Sequence, residues 1–240
     1  MTTRQEAAPK LPKKVAAPLD ISEGLWAIYK VTWQFDGPVG GSIPKNPKAI
    51  LAMLQARAPV TAPPDAIPLE TLAVQVAEEV GVGADGEEEP AETHNTFKRD
   101  ELGFYVEDRA LRAHIKDLAQ QVSGFFPNIA GFRSKVANKV YVEEHKIHLM
   151  VGSDFVQVPT ASETRYGAVM GARGPRSFIK IIEYVDNAVI TFHLKVLRDG
   201  VITELNLRAL FEYGGTHGFG PDRSLGWGRY TLTGLEKERG

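Results

Sequence analysis

TELNLRALFEYGGTHGFGPDRSLGWGRYTLTGLE, residues 203–236, governs how the rest of the chain reads. Glu204 to Tyr213 has the pattern of a helix and Trp227 to Leu235 that of a strand, with a glycine-rich loop between them. Gly214, Gly215, Gly218, Gly220, Gly226 and Gly228 allow the backbone positive φ and close approach to another group. Arg223 and Arg229 add fixed positive charge there, and Ser224 adds a hydroxyl. Exposed backbone N–H groups beside arginines suit a phosphate ester or an anionic chain. No Gly-Lys-Ser/Thr follows, which excludes a Walker loop, and the helix–loop–strand order excludes a dinucleotide fingerprint. The competing reading of the same residues is a glycine-rich connection that only packs against its own sheet.

Upstream, residues 25–35 are the clearest strand: Leu25, Ala27, Tyr29, Val31, Trp33 and Phe35 alternate with Trp26, Ile28, Lys30, Thr32 and Gln34. The strand breaks at DGPVGGSIPKNP, a turn region containing Lys45. Pro47 opens a helix that continues from Ala49 to Arg57, and Leu69 to Val80 is a second helix. Ala58 to Thr96 holds no Lys or Arg and ends in the acidic, turn-rich GADGEEEPAE. We therefore expect residues 46–96 to form an inserted helical lobe closed by a flexible acidic connector. Phe104 to Val106 is a short strand leading to Asp108, the expected N-cap of a helix over 109–122. Leu111, Ile115, Leu118 and Val122 share one face of that helix, and Arg109, Arg112 and Lys116 form a basic stripe opposite. The stripe is either a ligand-facing surface or an ordinary solvated face. Val140 to Val158 reads as two strands with a turn at Gly152-Ser153-Asp154, and Ala188 to Val196 as another strand. Pro159 to Arg176 shows no periodicity; its Arg165, Tyr166, Arg173 and Arg176 suggest an irregular loop that orders on a nucleic-acid strand.

Within 240 residues there is room for one large domain or one domain carrying an insertion. With no cysteine, disulfides, thiolate metal sites and a cysteine nucleophile are excluded. A net charge of −2 excludes a wholly basic nucleic-acid binder but leaves room for a local basic face. No apolar run reaches the length of a membrane span, and residues 1–18 form a basic tail without the apolar stretch of a secretory signal. We expect a disordered tail, no membrane association and a cytoplasmic location.

In order, the elements are strand (25–35), helix (109–122), two strands (140–158), strand (188–197), helix (204–213) and strand (227–235). This is α+β with a ferredoxin-like βαββαβ core, residues 19–45 and 97–240, helices on one sheet face and the other face open as in RNA-recognition modules.

On those residues the chain resembles the RAMP superfamily, the repeat-associated proteins that form and process guide RNA in CRISPR effector complexes. GGTHGFGPDRSLGWGR looks like the family's C-terminal signature loop, FDGPVGGSIP is similar to the start of its backbone subunits, and YVEDRALRAHIKDLA resembles their strand entering a basic helix. The likeness covers about two thirds of the chain and is absent across 46–96. It implies a ferredoxin-like fold and RNA held through its backbone, including guide RNA paired with a target strand. It also implies assembly with copies of itself or with other effector subunits, in antiviral defence. On it we expect the RNA to be met by Lys45, Arg109, Arg112, Lys116, Arg165, Arg173, Arg176, Gly218, Gly220, Arg223, Ser224, Gly226, Gly228 and Arg229.

The departures bear on catalysis. Cleaving members place an aspartate after the first strand, but Ser42, Ile43, Pro44, Lys45 and Asn46 follow Gly40-Gly41, and Asp36 precedes them. Guide-processing members often use a histidine in the N-terminal half, and the first here is His94. His217 lies in the glycine loop and could in principle move a proton, although lone histidines are usually structural or surface residues. His145 and His148, three apart on a strand, point to opposite faces and suit no shared ion. We expect no metal, no cofactor and no catalysis. The alternatives are a metal-independent endoribonuclease of the same fold and a viral or mobile-element assembly protein.

Overall fold

The alternation along WAIYKVTWQF produces β1 (Trp26–Phe35): Ala27, Tyr29, Val31, Trp33 and Phe35 are buried on one face, and the other carries Lys30, Thr32 and Gln34. The computed structural model describes residues 24–58, 66–80, 92–171 and 174–238. The tail over 1–18, the acidic run over 83–91 and Arg173 lie outside the described residues.

After β1 come β2 (Val39–Gly40), β3 (Ile43–Pro44), α1 (Pro47–Arg57) and α2 (Leu69–Glu79). There follow β4 (Glu92–Thr96), β5 (Lys98–Arg99), β6 (Phe104–Glu107), α3 (Asp108–Gln121) and α4 (Phe132–Lys139). Four short strands come next: β7 (Val140–Val142), β8 (Lys146–His148), β9 (Met150–Val151) and β10 (Asp154–Phe155). The chain ends in β11 (Ala161–Gly171), β12 (Gly174–Val185), β13 (Val189–Leu197), α5 (Glu204–His217) and β14 (Tyr230–Glu238).

β1 runs antiparallel to both β13 and β14, with Val31 opposite Phe192 on one side and Leu235 on the other. β7 and β9 pair with β13. Counted as the strands of βαββαβ, the order is second, third, first, fourth, which is the ferredoxin-like arrangement. Leu111, Ile115 and Leu118 of α3 and Leu207, Leu210 and Phe211 of α5 share one core with the buried face of β1 and β13. Trp33 lies at its centre, stacked on Tyr230 with ring centroids 4.1 Å apart. Between β3 and β4 the chain inserts α1 and α2, whose Ile50, Ala73, Val76 and Ala77 form a small second core with Ile43.

Several local expectations are corrected. α5 does not stop at Tyr213 but continues through Gly214 and Gly215 to His217. A Cβ on Gly214 would lie 2.0 Å from Tyr230 Oη, and one on Gly215 2.1 Å from the Tyr230 carbonyl oxygen, so these glycines let the helix lie against β14. The last strand starts at Tyr230 rather than Trp227, because Trp227 to Arg229 close the loop. Residues 159–176 are not an irregular loop: β11 and β12 form a long hairpin, in register from Ala161 opposite Tyr184 to Gly171 opposite Gly174. The acidic connector ends in a strand, β4, parallel to β12 and antiparallel to β3. The region 140–158 divides into four strands rather than two, turning at Gly152 as expected. Asp108 is the first residue of α3 and Glu107 its cap, and α4 has no counterpart in the sequence reading.

The sheet face away from the helices is open but differs from an RNA-recognition surface. Its charges pair with one another: Glu143 with Lys195 (2.6 Å), and Glu144 and Glu238 with His193. Trp26 and Tyr141 pack edge-to-face at one end of it. Among the described residues, no helix is long and apolar enough to cross a membrane.

Candidate nucleic-acid interface

Four segments distant in sequence meet around a cleft of about 380 Å³. The turn after β1 supplies Gly40, Ser42 and Ile43; β4 to β6 supply Thr96, Phe97, Lys98, Tyr105 and Glu107. α3 supplies Ala110, Ala113, His114 and Asp117, and the glycine-rich loop supplies Phe219, Gly220 and Arg223. At about 100° per residue, the α3 positions form a third face, distinct from both the buried face and the basic stripe. The two alanines on it keep the cleft open beside the helix.

The loop is held by its own bonds before anything else touches it. Phe219 N–H donates to the Gly228 carbonyl (2.8 Å), and Gly228 N–H donates to the Pro38 carbonyl (2.8 Å), which docks the loop on the end of β1. Gly228 has φ +68°, and a Cβ there would lie 1.8 Å from the Phe219 carbonyl oxygen, so no other residue fits. Gly218, Gly220 and Gly226 also have positive φ. Asp222, itself left-handed at φ 58°, anchors the loop to the long hairpin. Its carboxylate receives Lys180 Nζ at 3.0 Å and lies 3.4 Å from Arg165 Nη1, while the Arg165 guanidinium covers the Trp227 ring at 4.5 Å. Other loop amides are engaged internally as well: Gly218 N–H donates to the Gly214 carbonyl, Leu225 N–H to that of Asp222 and Gly226 N–H to that of Arg223.

Polar groups concentrate where the loop meets α3. Arg223 Nη1 donates to Asp117 Oδ2 (2.9 Å), and His217 Nε2 lies 3.0 Å from the same oxygen and 2.7 Å from Arg223 Nη1. Burial pushes the Asp117 carboxyl up, but the hydrogen bonds from Arg223 and His217 outweigh it and hold the carboxyl below its ordinary range. His114 is 6% exposed, stacks near His217, and has Nε2 3.3 Å from the Tyr230 hydroxyl. Burial, helped by the Arg223 and His217 charges, takes its pKa down to about 3, so it is a neutral imidazole at pH 7. At the opposite end Lys98, 8% exposed, bridges Glu79 (2.6 Å) and Glu107 (3.0 Å). Burial raises the Glu107 carboxyl, and Lys98 with Arg109 more than reverses it. Beneath, Glu183 accepts a short hydrogen bond from Thr96 and one from Lys45 Nζ at 2.9 Å, and lies 3.2 Å from His94. Glu107 and Asp117 line the cleft beside their partners Lys98 and Arg223, so its charges balance, and His114 adds a neutral imidazole. Arg223, 39% exposed, is a cation there that a phosphate can reach.

The residues singled out from sequence divide between this cleft and other places. Gly220 and Arg223 line it. Gly218, Gly226 and Gly228 shape the loop behind it, and Ser224 and Arg229 are exposed on the loop. His217 meets Asp117. Lys45 is bound to Glu183, and Arg165 is a loop anchor, 16% exposed. Arg176 lies within β12. The stripe on α3 does not line the cleft: Arg109 pairs with Glu107 (2.6 Å), Arg112 lies over the Tyr141 ring at 5.3 Å, and Lys116 is exposed. Sequence reasoning missed His114, Asp117, Lys98 and Glu107. The available signal for the first two was their spacing with Ala110 and Ala113, a helix face neither apolar nor basic.

Comparison with known proteins identifies no family. No protein-family model matches the chain and no curated protein matches it. Among solved structures, one similar chain comes from the cryo-EM structure of the Type III-B Cmr-beta bound to cognate target RNA, with a TM-score of 0.51 and 11% identity. The match covers 90% of this chain and 61% of that one, so the present chain spans less than two thirds of its length. At this identity the likeness is one of fold.

Proposed function

We propose that this protein is a non-catalytic, RAMP-like RNA-binding subunit that holds an RNA backbone along the cleft between α3 and the glycine-rich loop. The observation that carries the reading is the cleft itself, where an anchored loop presents the part-exposed Arg223 beside a hollow whose own charges balance. Contacts of that kind fix the path of a strand without reading its sequence. On this reading a strand leaving the cleft meets Lys116 and Arg109, exposed on α3 outside the cleft lining, and Ser224 and Arg229, exposed on the loop. The ferredoxin-like likeness to a chain of an RNA-bound complex supports the same reading. On it, residues 19–45 and 97–240 are the RNA-holding core and 46–96 an inserted lobe facing a neighbouring copy or another effector subunit. The bound strand is guide RNA, alone or paired with a target, and copies line up along it in the cytoplasm.

Fluorescence anisotropy with a labelled single-stranded RNA of random sequence tests this. Arg223→Ala is expected to weaken binding roughly ten-fold, the scale of one charge-assisted hydrogen bond. Lys116→Glu is expected to weaken it less and to lower the slope of affinity against salt by about one contact. Unchanged affinity and slope in both variants would remove the cleft and its rim from the RNA path.

The His217–Asp117 contact favours one second reading, a metal-independent endoribonuclease. An imidazole oriented by a carboxylate is the arrangement of a general base. It would take the proton of a ribose 2′-hydroxyl, whose oxygen would attack the adjacent phosphorus and break its bond to the 5′-oxygen. The proton returned by the imidazolium would let that oxygen leave as a 5′-hydroxyl, with a 2′,3′-cyclic phosphate on the other fragment. Shortening of labelled RNA by the wild type, abolished in His217→Ala, would establish this activity; intact RNA with both proteins is the outcome expected of a holding subunit.

A further inference from the structure

We propose that Asp117 is a built-in stand-in for phosphate: its carboxylate occupies Arg223 and His217 in the RNA-free protein, and RNA binds by displacing it. The inference rests on the reading that the cleft takes RNA, and adds how that site is regulated.

Three observations point the same way. First, the Asp117 link is not needed to hold the loop. Phe219 with Gly228, Gly228 with Pro38, and Asp222 with Arg165 and Lys180 already fix it on other elements. The Asp117 and Arg223 side chains are 38% and 39% exposed, and ion pairs that open to solvent contribute little to stability. Second, Arg223 divides two hollows. It lines the cleft on one side and, on the other, a groove of about 490 Å³ formed with Tyr213, Thr216, His217 and Ser224. A strand passing from one hollow to the other crosses the guanidinium. Tyr213, 38% exposed and stacked on His217 at 5.7 Å, offers the next base a ring face beyond it.

Third, the donor set is that of a phosphate site. Arg223 Nη1 donates to Asp117 Oδ2 at 2.9 Å, and His217 Nε2, 3.0 Å from the same oxygen and 2.7 Å from Arg223 Nη1, is a second donor in the tautomer that carries its proton on Nε2. A phosphate oxygen accepts from the same donors at the same distances, and a guanidinium can hold two such oxygens at once. A carboxylate left in place both competes for these donors and repels the incoming charge. Asp117 thereby sets a threshold: a polyanion making several contacts displaces it, and a lone small anion does not.

The test is the affinity of wild type, Asp117→Asn, Arg223→Ala and the Asp117→Asn/Arg223→Ala double variant for labelled single-stranded RNA. Asparagine keeps the shape and a hydrogen-bond acceptor while removing the charge. Asp117→Asn is expected to bind about five-fold tighter, the range of one exposed ion pair, with an unshifted thermal transition. The double variant is expected to gain less over Arg223→Ala than Asp117→Asn gains over wild type, because part of the gain passes through Arg223 and the rest through His217 and the lost repulsion. Tighter binding by Asp117→Asn where wild type binds none also supports the inference. Wild-type binding that Asp117→Asn leaves unchanged or weakens, or a marked loss of stability in that variant, makes Asp117 a strut and overturns the inference while the RNA-holding reading stands. Absence of salt-dependent binding by wild type and Asp117→Asn alike overturns both.

Discussion

Gly228 and Gly226 both have positive φ, but a side chain would meet different surroundings at each. At Gly226 a Cβ finds only the Arg229 guanidinium at 3.8 Å, so Gly226→Ala carries the left-handed penalty of about 1–2 kcal/mol. At Gly228 it meets the Phe219 carbonyl oxygen at 1.8 Å, which no rotamer relieves. Gly228→Ala is therefore expected to cost well over ~2 kcal/mol and to open the pairing of Phe219 with Gly228. Thermal unfolding of the two variants checks the order; equal shifts would show that the loop yields as easily at its closure as at its tip. On the open sheet face, His193 gives a second residue-level test. The hydrogen bond to Glu144 raises its pKa; burial works against this, and the charges of Glu144, Glu238 and Glu143 add to the rise, while the cations facing it are Lys30, opposite on β1, and Lys195, two residues along β13. A folded-state pKa above the unfolded value of 6.5 means the contribution is fully present below about pH 6.5 and lost as pH rises through the folded pKa. The stability difference between wild type and His193→Gln is accordingly expected to be larger at pH 6 than at pH 9. A difference independent of pH would show that the pair does not titrate with folding.

Among the elements, the loop is tied to the hairpin of β11 and β12 through the Asp222 carboxylate and through Trp227, which packs against Arg165 and Tyr184. Asp222→Asn keeps a residue that tolerates left-handed φ but takes from Lys180, 25% exposed, its counter-charge and leaves Arg165, 16% exposed, with Glu163 as its carboxylate partner. A stability loss of about 1–3 kcal/mol is expected, together with weaker RNA binding as Arg223 loses its placement. Lost stability with full RNA affinity would separate the anchor from the site. The hairpin is also where sequence reasoning failed, and the reason is physical. Ser162, Glu163, Thr164 and Tyr166 are exposed, so among the described side chains of β11, residues 161–168, no buried face imposes a two-residue period. β1, β13 and α3 were legible because each buries one face completely. α5 was legible as a helix, but its end was misplaced because Gly214 and Gly215 read as loop residues. There they are the thin part of a helix pressed against Tyr230. The cleft could be read only in part. The loop and its Arg223 are local in sequence, whereas Lys98, Glu107, His114 and Asp117 join them only through tertiary packing.

Over the whole molecule, the ferredoxin-like core leaves one sheet face with self-paired charges and places its hollow on another side, between α3 and the loop. A subunit built this way can take a strand across its loop and still offer other surfaces to neighbours. That is what lining up along one RNA requires, and a protein assembled only through its own contacts would behave differently. The most direct measurement is the ratio of absorbance at 260 and 280 nm of the purified protein, with its mass by light scattering, before and after ribonuclease at low salt. The account predicts a raised ratio and a large mass, both falling to protein-only values once the RNA is digested. A protein-like ratio throughout, whether the particle is large or monomeric, would contradict it.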